Sequence, residues 1–197
     1  MNQNEVLDLL RESEALLEGH FELSSGLHSD RYFQCALVLC DPPRAERLAR
    51  GLVESLPKDL RESIQVVVGP ALGAVTWAHE MARALGVRGM FTERKDGVMT
   101  LRRGFSLAPG TRVLVVEDVL TTGGSAREVI TLLRDLGLEV LGVGSVVNRS
   151  GHNPFEVDGL PLFALAEVEA RTWSKDAPPP GFESDAAVKP GSRPVAS

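Results

Sequence analysis

Short, uninterrupted apolar runs separated by stretches of helical periodicity constrain this chain more than any other feature. Ile64-Gln65-Val66-Val67-Val68 leads into one such run, and Val113-Leu114-Val115-Val116 is another. A strand with one wet face alternates apolar and polar residues, so a run with no polar position must be covered on both faces. Between the runs, Val75, Ala78, Met81, Ala82 and Leu85 repeat at helical spacing, and so do Ala126, Val129, Ile130 and Leu133 before Gly137. Further strands are expected at Val87 to Thr92, Leu138 to Val147 and Leu160 to Leu165. Alternation of this kind predicts crossover units: an α/β fold with a central, mostly parallel sheet flanked by helices. Ligands of such sheets bind beyond the carboxyl ends of the strands, so the residues just after the apolar runs are the candidates for function.

The N-terminal part reads differently. Val6, Leu9, Leu10, Leu16 and Leu17 predict an amphipathic helix over residues 4–18. Phe21 to Phe33 has hairpin character around Ser24-Ser25-Gly26. Asp41-Pro42-Pro43 is a helix start, and Ala45, Leu48, Ala49, Leu52, Val53 and Leu56 continue it. Lys95-Asp96-Gly97 is a turn signal, followed at Val98 to Arg103 by a return strand or part of a loop. Beyond Asp176 the chain turns to Pro- and Gly-rich sequence without periodicity. Residues 1–175 are therefore expected to form a single domain, and 176–197 an extended or disordered tail.

Composition excludes several classes. Lys plus Arg is 21 against 27 Asp plus Glu, a net charge of −6, which argues against binding nucleic acid by bulk charge. The first twenty residues are acidic and lack the basic start and apolar block of a secretory signal. The longest uncharged run, Ser63 to His79, contains Gln65, Gly69, Pro70 and Gly73 and is not a membrane span. Cys35 and Cys40 are the two cysteines. On a strand their odd spacing would point them apart, which disfavours a disulfide, and no second pair is present for zinc. The expectation is a cytoplasmic chain with buried thiols and with neither nucleic acid nor membrane as partner.

The chemistry concentrates in Val113-Leu114-Val115-Val116-Glu117-Asp118-Val119-Leu120-Thr121-Thr122-Gly123-Gly124-Ser125. Thr121 to Ser125 places backbone N–H groups and hydroxyls at a helix N-terminus, where unsatisfied amides and the helix dipole favour a phosphate. Gly123 and Gly124 let the backbone come close to it. Glu117 and Asp118 would repel a phosphate. They suit vicinal sugar hydroxyls instead, contacted directly or through hydrated Mg²⁺. The segment reads as a holder for ribose 5-phosphate.

This thirteen-residue arrangement resembles the phosphoribosyl-diphosphate signature of the type I phosphoribosyltransferases. Other segments resemble the orotate-specific members of that family. Phe21-Glu22-Leu23-Ser24-Ser25-Gly26-Leu27-His28-Ser29-Asp30-Arg31-Tyr32-Phe33 is similar to their N-terminal segment, and Val67-Val68-Gly69-Pro70-Ala71-Leu72-Gly73-Ala74 to their diphosphate loop. Thr92 to Gly97 with Leu101 to Phe105 resembles their basic catalytic loop. Arg149 falls where they carry an orotate-contacting Arg, and Lys189-Pro190-Gly191-Ser192-Arg193 resembles the tail of some members. Many bacterial members have Lys where Ser24 stands, and their basic loop is longer and richer in Lys.

The resemblance implies the type I phosphoribosyltransferase fold, with residues 1–40 contributing a small hood over the base site. It implies transfer of ribose 5-phosphate from phosphoribosyl diphosphate to orotate with Mg²⁺, in UMP synthesis. Lys95, Arg94 and Asp118 are then the catalytic candidates. Phosphoribosyl diphosphate would be held by Gly69, Pro70, Ala71, Leu72, Gly73, Arg94, Lys95, Glu117, Asp118, Thr121, Thr122, Gly123, Gly124 and Ser125. Orotate would meet Arg149, Thr121, Ser25, Gly26, Tyr32 and Phe33, with Ser29 nearby. The metal would be held by substrate and water near Glu117 and Asp118, not by direct protein ligands. A homodimer sharing the basic loop 93–103 between subunits is implied as well. Two alternatives use the same sugar-phosphate loop: a purine-base phosphoribosyltransferase, and a non-catalytic sensor of phosphoribosyl diphosphate. The acidic total counts against a nucleic-acid-binding version of the sensor.

Overall fold

The structure, a computed structural model, describes residues 1–23, 25–182 and 186–190. Ser24, Gly191, Ser192 and Arg193, singled out above, lie outside the described residues.

Helix α1 (Gln3–Glu12) begins with a capping box, in which the Asn2 side chain takes the Glu5 amide and the Glu5 side chain takes the Asn2 amide. It ends well short of residue 18. Glu14 adopts a left-handed φ of 56°, which breaks the helix. Leu16 and Leu17 therefore belong to strand β1 (Leu16–Glu22). Leu16 still enters the same core as Leu9 and Leu10, and this is why its spacing imitated a longer helix. Strand β2 (His28–Phe33) returns antiparallel to β1.

A one-turn helix, α2 (Ala36–Leu39), separates the two cysteines, so they do not share a strand. Cys35 is buried, whereas Cys40 is exposed, contrary to the expectation of two buried thiols. Helix α3 (Pro42–Ser55) has its Asp41 cap and its Pro in the first turn as predicted. Helix α4 (Lys58–Ser63) was not anticipated; its six residues bury no side chain and so leave no apolar stripe to read.

The alternation then unfolds as expected: β3 (Val66–Pro70), α5 (Ala74–Leu85), β4 (Arg88–Lys95), β5 (Val98–Leu101), β6 (Arg112–Leu120), α6 (Gly124–Asp135), β7 (Glu139–Asn148) and β8 (Leu162–Glu167). These strands form one sheet in the order β5-β4-β3-β6-β7-β8, with all neighbours parallel except β4–β5. A second, small sheet joins β1, β2 and a short β9 (Thr172–Trp173).

Both faces of the large sheet are covered. Val67, Leu114, Val116 and Val146 share a core with Leu48 and Leu52 of α3 and Trp77 and Met81 of α5. Val66, Val68, Val113, Val115 and Val143 pack with Ala126, Val129, Ile130 and Leu133 of α6. Each such side chain contributes roughly 1.5–3 kcal/mol when fully buried, which accounts for the wholly apolar runs. The parallel strands leave their carboxyl ends, Pro70, Lys95, Leu120, Asn148 and Glu167, along one edge. Strand β4 continues past the level of Pro70, which is paired with Thr92. Its extension forms a hairpin with β5 through Asp96 (φ 53°) and Gly97 (φ 83°), the consecutive left-handed pair of a tight two-residue turn. Among the described residues, no helix is long and apolar enough to cross a membrane.

Candidate active site

Two helices start at the carboxyl edge, and neither has a side-chain cap. α5 begins after Gly73 and α6 after Gly123, with no cap hydrogen bond from either position. By contrast, α1 and α3 are capped by Asn2 and Asp41. First-turn amides without a capping side chain, set at the positive ends of two helix dipoles, are suited to anions.

The glycines here are required by close approach. A Cβ on Gly69 would stand 2.9 Å from Ala74 Cβ and 3.1 Å from the Val116 carbonyl oxygen. Gly123 is left-handed (φ 73°), and a Cβ there would meet the Phe155 ring at 2.9 Å. Phe155, fully buried, supports the Thr121–Ser125 loop from below. The only trace of this in the sequence is an apolar residue in a polar stretch. Thr121, Thr122, Gly124 and Ser125 are exposed and open to a ligand. On the neighbouring loop, Pro70 is buried, the Ala71 amide donates to the Thr92 carbonyl at 2.7 Å, Leu72 is 87% exposed, and the Ala71–Leu72 peptide is cis.

Glu117 and Asp118 are both partly buried at the end of β6. Burial, reinforced by the neighbouring Asp118 charge, pushes the Glu117 carboxyl up to about 8. Burial also raises Asp118, against the opposing pull of the Val119 and Asp118 amides. Two carboxyls so placed favour a hydroxyl-bearing or cationic partner. Among the described residues, no group of three or more His, Cys, Asp and Glu side chains could hold a metal ion.

The basic hairpin is largely engaged in ion pairs. Arg94 makes a two-pronged contact with Glu128 of α6. Arg103 bonds Glu93 at 2.8 and 3.1 Å, and Arg102 lies 3.6 Å from the same carboxylate. Lys95 is exposed at the end of β4 and forms no ion pair among the described residues. Glu128 was not legible in the sequence, because this partner of Arg94 comes from a distant helix.

Arg149 follows β7, with its amide bonded to the Leu120 carbonyl at 2.8 Å. Its guanidinium lies over the Phe33 ring at 5.4 Å, and Nη2 donates to Ser29 Oγ at 3.3 Å. Nε is buried with no hydrogen-bond partner in the protein. Burial lowers the pKa of the group, opposed by the nearby Asp30 charge. Phe33 and Ser29 thus converge on Arg149, but Tyr32 does not. Successive strand residues face opposite ways, and Tyr32 packs near Phe21 instead, with ring centroids 6.1 Å apart. Ser25 and Gly26 sit in the exposed turn of the hairpin.

The phosphoribosyl transferase domain family matches residues 39–173. The chain is 52% identical over 194 residues to the orotate phosphoribosyltransferase of Novosphingobium aromaticivorans, covering 98% of each chain. The chain belongs to the orotate phosphoribosyltransferase family. A second relative, from Heliobacterium modesticaldum, is 51% identical over 98% of this chain and 100% of its own length. The crystal structure of orotate phosphoribosyltransferase from Aeropyrum pernix superposes with a TM-score of 0.70 at 29% identity, covering 83% of this chain and 93% of that one. The type I phosphoribosyltransferase fold expected from the signature segment is the fold observed. In this family member the two uncapped helix starts, the acid pair and Arg149 all stand at the carboxyl edge of the large sheet.

Proposed function

We propose that this chain transfers ribose 5-phosphate from phosphoribosyl diphosphate to orotate, releasing diphosphate and forming orotidine 5′-monophosphate, a step toward UMP. The observation that carries the reading is Arg149. A half-buried guanidinium whose Nε is buried without a protein partner is costly unless an anionic acceptor completes it. A planar carboxylate on a flat ring, laid along Phe33, satisfies that requirement. A purine base has no carboxylate to offer.

Around it, Thr121, Thr122, Gly123, Gly124 and Ser125 hold the 5-phosphate at the start of α6. Gly69 to Gly73 hold the diphosphate at the start of α5. Glu117 and Asp118 take the ribose hydroxyls. Thr121 borders both ligands, and the hairpin turn at Ser25 and Gly26 closes the base side. Mg²⁺, carried in by phosphoribosyl diphosphate and its waters near Glu117 and Asp118, would neutralise charge on the departing diphosphate.

Glycosyl transfer breaks the bond between the anomeric carbon and the diphosphate oxygen and forms one to a ring nitrogen, whose proton passes to the released diphosphate or to water. Positive charge builds on the ribose and negative charge on the diphosphate. The protein's part is orientation and charge stabilisation. Lys95 and Arg94 approach the diphosphate from the β4–β5 hairpin, and Asp118 stabilises the ribose. Residues 1–175 act as one domain with residues 1–40 as hood, in a cytoplasmic homodimer whose loop 93–103 serves the neighbouring subunit.

Incubation with orotate, phosphoribosyl diphosphate and Mg²⁺ tests this directly. Diphosphate release with loss of orotate absorbance is expected. Turnover with adenine or guanine and none with orotate would overturn it, and ligand binding without any turnover would point to a sensor.

A further inference from the structure

The β1–β2 hairpin that brings Ser29 and Phe33 to Arg149 is poorly supported by its own sheet. Two-stranded hairpins are marginal in water, and β9 adds only the pairs His28–Trp173 and Ser29–Thr172. The β1–β2 register is also broken between Glu18 and Phe21. The C-terminal segment supplies what is missing, because it grips the hairpin on both edges.

On the β2 edge, the Arg171 amide and Nε each donate to the Asp30 carboxylate at 2.9 Å. Across the sheet face, the Phe182 ring stands 4.9 Å from Trp173 and 5.6 Å from His20, beneath the Arg171 guanidinium. On the β1 edge, the Val188 amide donates to the His20 carbonyl and the Glu22 amide to the Val188 carbonyl, both at 2.8 Å. Lys189 Nζ closes the run on Glu22 at 2.8 Å. Between the edges, His20 Nε2 and His28 Nδ1 share a hydrogen bond of 2.7 Å that ties the two strands together. The carbonyl that accepts Val188 lies in the register break, where β1 has no β2 partner.

We infer that residues 171–182 together with 186–190 act as a strap that holds the hairpin in the base-binding geometry, with Phe182 and Val188 as positioning residues. The inference rests on the orotate reading of the Arg149 site. A hairpin that spent about a tenth of its time in the competent geometry would weaken apparent base affinity about tenfold.

The test uses Phe182→Ala and Val188→Pro in the full chain. Proline removes the amide that bonds His20. Amide hydrogen exchange should quicken over residues 28–33 in both variants. The KM for orotate should rise about tenfold, while kcat and the KM for phosphoribosyl diphosphate stay within about twofold. Unchanged exchange over 28–33 overturns the strap. Faster exchange with an unchanged orotate KM overturns the positioning role, and so does a parallel rise in both KM values, the mark of general destabilisation. Failure of the parent chain to use orotate overturns the functional reading alone, and the exchange result then decides the strap.

Discussion

Gly73 and Asp118 are in direct opposition: a Cβ on Gly73 would stand 2.9 Å from Asp118 Oδ1 and 3.1 Å from Oδ2. The loop after β3 and the acid pair of β6 are therefore one packed unit, and neither loop can change without the other. Gly73 is an ordinary right-handed residue (φ −52°), so the need for glycine here is spatial. Gly73→Ala should displace the Asp118 carboxylate or the loop, at a cost of about 1–3 kcal/mol from overpacking. The KM for phosphoribosyl diphosphate should rise much more than that for orotate, as steady-state kinetics with each substrate varied would report. Equal effects on both would show that the contact is structural only.

Arg149→Gln should separate function from stability. Removing a half-buried charge with an unsatisfied Nε costs the fold little or stabilises it. Loss of a two-pronged carboxylate contact should raise the orotate KM by about tenfold or more. A melting curve and an orotate titration on the same sample check both halves. A large drop in Tm would mean that Arg149 is chiefly structural.

The pH dependence of stability should carry the signature of Glu117. Its carboxyl titrates near 8 in the folded chain against 4.5 when unperturbed. Between these values the folded state keeps a proton that the unfolded state has released. Its contribution is thus fully present below the lower value and is lost as pH rises, at up to about 1.4 kcal/mol per pH unit, levelling off above about 8. The ligand-free parent should lose Tm from about pH 5 to about pH 8 more steeply than Glu117→Gln. Parallel curves would sink the assignment.

The hairpin bases should behave unequally. Lys95 is exposed, so Lys95→Ala should leave Tm unchanged and lower kcat strongly; a rate within about threefold of the parent, under 1 kcal/mol of barrier, would remove Lys95 from the mechanism.

Glu128→Gln frees Arg94 from its α6 partner. The pair is exposed, so stability should change by less than about 1 kcal/mol. With Arg94 released toward the diphosphate, the KM for phosphoribosyl diphosphate should fall; an unchanged value would show that Arg94 does not move between the two anions.

Much of this was legible because it is written locally. The apolar run 113–116, its acids and the glycine-bearing helix start are consecutive, and each reports a short-range demand: burial on two faces, or an open amide at a helix end. Where a local pattern was satisfied from elsewhere, the reading erred. Leu16 matches the α1 stripe because it fills the same core from a strand, and of the two cysteines expected to be buried only Cys35 enters the core.

By itself, then, the sequence determined the parallel sheet, the glycine-bearing helix start and the acid pair. The tertiary structure alone decided that Ser29 and Phe33, not Tyr32, meet Arg149, that Glu128 holds Arg94, that Gly73 abuts Asp118, and that Arg171, Phe182 and Val188 contact the hairpin. Strand type and helix ends follow from backbone hydrogen bonding and burial within a few residues of each other. Which side chains face one another across tens of residues or more follows from strand order and register, and these are set only when the whole core packs.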